Sequence, residues 1–100
     1  MTDKTREAAL AAFNLFNAEL QKRGAIPIMH DLDTPFASEK EVLDHCAQML
    51  IEMRVFIVDG KFDKFMRWVC WIQGALNGRG ILTVDDFRKM NISLLHADNQ

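Results

Sequence analysis

Tyrosine is missing from this 100-residue chain, and cysteine and proline are represented by two residues each. Cys46 and Cys70 have neither CxxC spacing nor the numbers needed for the disulfide framework of a small secreted domain. No stretch reaches the ~20 consecutive apolar residues that a membrane helix requires. The opening Met-Thr-Asp-Lys-Thr-Arg-Glu runs into alanines broken by Asn14, Asn17 and Glu19, without the unbroken apolar core or cleavage site of a signal peptide. These absences lead to the expectation of a reduced, cytoplasmic protein that makes no membrane contact. A dominant charge is lacking as well. Residues 1–50 hold five Lys/Arg against eight Asp/Glu and residues 51–100 hold seven against six, a balance too mild to announce a polyanionic partner.

Signatures of catalysis are equally scarce. There is no Gly-x-Ser-x-Gly elbow, no P-loop and no Gly-x-Gly-x-x-Gly, and Gly78-Arg79-Gly80 is too short to cradle a phosphate. His30, Asp31 and Asp33 sit together, and His45 follows Glu41 by four residues, which puts both on one helix face. No HExxH motif and no second histidine on that helix completes a metal site. The same residues are therefore read as a surface i,i+4 pair and as turn hydrogen-bonders. Both cysteines lie in apolar stretches, where a thiol behaves as a small hydrophobe rather than a nucleophile. The adjacent Asp85 and Asp86 stand at a helix start, where the macrodipole accounts for them. The chain is expected to be non-enzymatic, with no catalytic residue, no metal and no cofactor.

What is present is 49% apolar and 26% charged, the balance of an average soluble domain. The fold class expected is all-α: one domain, a small bundle of three main helices and a short C-terminal helix, with an ordered, proline-containing strap between helices 1 and 2. The first helix spans about 5–23, with Ala9, Ala12, Phe13, Phe16 and Leu20 at three- and four-residue spacing and Lys22 and Arg23 before the stop at Gly24. Pro27 and Pro35 then bias their predecessors away from helix. The strap's Ile26, Ile28, Met29, Leu32 and Phe36 are too many for a solvated linker, so it is expected to pack across the helices.

Ser38 and Glu41 form a capping box that opens a second helix at about 39–58, marked by Val42, Cys46, Met49, Leu50, Met53 and Ile57 and closed by Gly60. The run Val55-Phe56-Ile57-Val58 followed by Asp59-Gly60 also suits a β-hairpin. The helical period that resumes directly after the turn favours helix. The third helix, about 61–77, carries Phe62, Phe65, Met66, Val69, Ile72, Gln73 and Leu76 on one face and Trp68, Trp71 and Ala75 on a second stripe. Only a wedge around Asp63, Arg67 and Gly74 is polar, which predicts either the central helix of the bundle or an interface. A second capping box, Thr83 and Asp86, opens a short helix at about 84–90. From about residue 91 a tail is expected to fold back through Leu94 and Leu95 and to fray at its end.

This apolar excess makes Phe65, Arg67, Trp68, Trp71 and Phe87 candidates for a protein interface, either between two copies of the chain or with another protein. The competing expectation is that Ile28, Leu32 and Phe36 of the strap cover the tryptophan stripe within one molecule. Nucleic-acid binding is the alternative, through Lys61, Lys64, Arg67 and Arg79 beside stacking tryptophans. Against it, a recognition helix starting at Val84 would present Asp85 and Asp86 to an anionic duplex. A third possibility is an intersubunit pocket for a small anion such as a nucleotide.

Residues 67–76, Arg-Trp-Val-Cys-Trp-Ile-Gln-Gly-Ala-Leu, followed by Gly80-Ile-Leu-Thr83-Val-Asp85-Asp86-Phe87-Arg-Lys-Met-Asn91, form a recognisable pattern. It resembles the C-terminal half of small helical proteins encoded by tailed bacteriophages and prophages. The resemblance rests on the Arg-Trp pair, the Ile-Gln-Gly step and the Gly-Ile-x-Thr before an acidic helix start. It implies an accessory protein made in a bacterial cytoplasm, acting by binding and modulating a host or phage protein. The expectation is a homodimer that self-associates through its third helix and modulates such a partner.

Overall fold

The computed structural model describes residues 1–98 and contains four helices: α1 (Asp3–Lys22), α2 (Glu39–Asp59), α3 (Phe62–Asn77) and α4 (Val84–Asp98). No strand occurs among the described residues. Thr2 starts α1 by accepting the Thr5 N–H on its hydroxyl. From there Thr5, Ala9, Ala12, Phe16 and Leu20 form one buried row. Both α2 and α4 pack on α1, and α3 packs on α2. The Cα radius of gyration is 13.3 Å, as expected for a single compact chain of this length.

The hinge between α2 and α3 settles the hairpin question. Gly60 adopts the left-handed conformation (φ 73°) and closes α2, with its N–H on the Ile57 carbonyl and the Lys61 N–H on that of Phe56. A side chain at this position would also meet Arg6, 3.2 Å from an ideal Cβ. Arg6 is there because α2 has no basic residue in its last turn. Its Nε donates to the Ile57 carbonyl oxygen at 3.2 Å, so α1 supplies the cation that the C-terminus of α2 favours.

α3 is not the central helix of the bundle. Phe65, Val69, Ile72 and Leu76 are fully buried, yet its close backbone packing is with α2, and it reaches α4 through side chains. The amides of Gln73 and Asn91 pair reciprocally, at 2.8 and 3.3 Å, and satisfy Gln73 in the core. The turn into α4 holds Leu82 at φ 64°, a conformation costing an L-residue roughly 1–2 kcal/mol. Buried Ile81 on one side and the reciprocal Thr83–Asp86 capping box on the other hold it in place.

The fourth helix is not short: it continues through residues 91–98, where a tail was expected. Asn91, Ser93 and His96 are indifferent helix formers, so local propensity fades after Met90. Packing overrides it. Met90 and Leu94, one turn apart, are buried in the core, and the Ala97 carbonyl accepts from the Thr5 hydroxyl at 3.4 Å. Asn99 and Gln100, on which the expected fraying falls, lie outside the described residues. Leu94→Ala is predicted to cost about 2–5 kcal/mol in urea unfolding, the range for a fully buried leucine. A cost within ~0.5 kcal/mol would instead match an exposed tail position.

Candidate functional site

The strap, α2 and α3 meet along an aromatic seam. The rings of His30 and Phe36 stack with centroids 4.2 Å apart, and Phe36 lies 5.5 Å from His45 and 6.2 Å from Trp71. His45 and Trp71 meet edge to face at 5.6 Å. Along the same pair of helices Trp68 meets Phe56 edge to face at 5.0 Å, and the Lys64 ammonium sits 5.9 Å from the Phe56 centroid.

The strap reaches this seam on polar fastenings. The Ile26 N–H donates to the Asp44 carboxylate at 3.0 Å and the Ile28 N–H to the Asp44 carbonyl at 3.3 Å. The His30 N–H donates to Nδ1 of His45 at 3.5 Å, and the Ala37 N–H to the Glu41 carboxylate at 2.6 Å. The second capping box is thus complete, whereas the first is modified: Ser38 accepts the Glu41 N–H, but the Glu41 carboxylate reaches back to Ala37. Asp44 is buried and ion-paired to Lys40. That pairing, followed by the Ile26 N–H, holds its pKa below the usual carboxylate value. Asp31 folds the tip of the strap, accepting from the Asp33 N–H and the Thr34 hydroxyl.

The expected burial of the strap is therefore corrected. Phe36 and Ala25 pack against the core, but Ile26, Ile28, Met29 and Leu32 are exposed, Leu32 by 87%. A segment hung by its backbone N–H groups on side chains of α2 turns its own side chains outward. Two interface candidates are corrected as well, since Phe65 and Phe87 belong to the core. Arg67 is exposed, Trp68 is partly buried, and Trp71 is 41% exposed beside Phe36. A surface that sequence reasoning passed over lies on α2, where Ile51, Val55 and Val58 are exposed at spacings of four and three. The signal was the apolar run at 55–58, which gives this helix more apolar positions than one buried face can use.

The basic residues do not form one patch. Lys61 and Lys64 are exposed at the start of α3, while Arg79 lies beyond its far end, about 24 Å along a 16-residue helix. Arg79 instead lines an open cleft of about 420 Å³ together with Arg23, Glu39, Lys40 and Asp44. The cations there are engaged internally: Arg23 with Glu19, Lys40 with Asp44, and Arg79 with the Ala75 carbonyl. Among the described residues, no group of three His, Cys, Asp or Glu is arranged to hold a metal, and no helix is long and apolar enough to cross a membrane.

The fold is thus an all-α bundle of four helices with an aromatic seam and an unpartnered apolar face on α2. Comparison with protein-family models, curated proteins and solved structures returns no match.

The two thiols differ in exposure, correcting the expectation that both are buried as small hydrophobes. Burial pushes Cys46 up to about 11, opposed by Arg79, while Cys70 is exposed on α3. An aromatic disulfide reagent near neutral pH is predicted to modify one thiol per folded chain, at Cys70, and two in denaturant. Cys70→Ser should abolish the reaction of the folded protein.

Proposed function

We propose that this chain is a non-enzymatic interaction protein that self-associates and binds another protein. The observation that carries this reading is where the apolar excess ends up. Ile51, Val55 and Val58 make an exposed row on α2, and Trp71 stands exposed on α3. Rows of large apolar side chains held on rigid helices suit protein contact, with tryptophan and arginine as frequent anchors. Exposed Arg67 and partly buried Trp68 lie one turn before Trp71 on α3. An accessory role in a bacterial cytoplasm, modulating a host or phage protein, is the further part of this proposal, made on the pattern at residues 67–91.

Light scattering over a concentration series should show a species of twice 11.5 kDa that dissociates on dilution. Val55→Arg is expected to give a monomer with unchanged far-UV circular dichroism. A species of 11.5 kDa at every concentration would remove self-association. Partner binding is tested separately, by capture from bacterial lysate with the wild-type chain and with Trp71→Ala. A protein retained by the first and lost with the second, at equal helix content, supports the seam. Loss of folding in Trp71→Ala would instead assign the tryptophan to the core.

A further inference from the structure

The strap differs from the rest of the molecule in what holds it. None of the buried core residues lies between residues 24 and 37, and four of its large apolar side chains face outward. Between the Ile28 and Ala37 N–H groups, the backbone hydrogen bond that fastens it to α2 is the one from His30 to His45. The remaining contacts there are those of the rings, Phe36 against His45 and Trp71 and His30 against Phe36, and the approach of His30 Nδ1 to the Glu41 carboxylate at 3.9 Å.

The acceptor in that bond is Nδ1 of an imidazole, which accepts only while it carries no proton. We propose that the strap is a proton-released latch: when Nδ1 of His45 takes a proton from water, the fastening of His30 is lost and residues 29–36 lift from α2 while the four helices stay packed. Protonated Nδ1 would set an N–H against the His30 N–H, donor against donor. His30 Nε2 lies 2.6 Å from the Thr34 carbonyl oxygen and donates to it, and the His30 and His45 ring centroids are 6.3 Å apart.

The charges facing His45 are few. From the strap comes His30, and from α2 comes Glu52, which favours a charge on His45. Glu41 faces Nδ1 of His30 instead, at 3.9 Å. α3 brings the uncharged ring of Trp71, and its Asp63, Lys64 and Arg67 are not among the groups acting on His45. Burial, reinforced by His30, outweighs Glu52 and holds the pKa below the ordinary 6.5. The sign follows. A released His45 moves back toward its ordinary pKa, so opening takes up a proton and the opening constant rises as pH falls through the range in which His45 titrates. It levels off once pH passes the lowered value of the closed form. The ends of the segment respond differently: Ile26 is held by a carboxylate that stays ionised through this range.

Release is independent of the binding reading, since it is measured on the chain alone. Amide hydrogen exchange by NMR between about pH 8 and about pH 5, corrected for intrinsic rates, should show the His30 opening constant rising by up to tenfold per pH unit as His45 titrates. Ile26 and the core amide of Leu94 should show no such slope, and cross-peaks between the Phe36 and Trp71 rings should fade together with His30 protection. His45→Gln keeps an acceptor without a titration and is expected to abolish the slope. His45→Phe keeps a ring without an acceptor and should leave His30 open at every pH, with Leu94 protection reporting that the bundle is folded. A His30 opening constant that stays flat while His45 titrates overturns the proposal, as does a wild-type slope retained in His45→Gln.

Discussion

The structure depends first on the buried row of α1. Thr5, Ala9, Ala12, Phe16 and Leu20 form the surface against which both α2 and α4 pack, and two of the five are alanines. Small side chains there bring the partner helices close, and Phe16 and Leu20 fill the space at the strap end. α3 is a step removed, positioned by α2 through a hinge that Gly60 closes and by α4 through the Gln73–Asn91 amide pair. Arg6 belongs to the same logic, since one side chain of α1 caps the far end of α2.

Beside this apolar core the strap obeys a different rule. It crosses the N-terminal half of α2 on donors from its backbone and acceptors from Glu41, Asp44 and His45. Such bonds are worth about 0.5–1.5 kcal/mol where the acceptor is neutral and about 1.5–3 kcal/mol where it is a carboxylate, so the strap is held at its ends more firmly than at His30. Its side chains gain little from burial, and four of them face water. The aromatic seam is the place where the two regimes meet, with Phe36 on the strap and Trp71 on the bundle. Local opening of one without the other is the behaviour expected of an element with few buried apolar contacts.

The exposed row on α2 completes the division. A helix in a small bundle buries one stripe, and α2 does so with Val42, Cys46, Met49, Leu50, Met53 and Ile57. Ile51, Val55 and Val58 lie off that stripe, on the half of the helix that the strap leaves open. Their placement gives α2 an exposed apolar row in addition to its buried stripe.

The helices were legible in the chain because their signals are local. Apolar spacing, the Ser38 cap, Gly24 and Gly60 placed α1, α2 and α3 to within two residues of their observed ends. The second half of α4 was illegible for the opposite reason: Asn91, Ser93 and His96 are weak helix formers, and Leu94 becomes a core residue only because α1 lies against it. Arg67 and Trp71 are exposed and Trp68 is partly buried, but periodicity did not separate them from Phe65 and Phe87, which belong to the core. Periodicity reports that a residue is apolar and on a face; which face meets another helix is decided by packing. The strap shows the limit most sharply. Composition alone predicted burial for its isoleucines, and only the tertiary placement of Glu41, Asp44 and His45 under its N–H groups turned those side chains toward water.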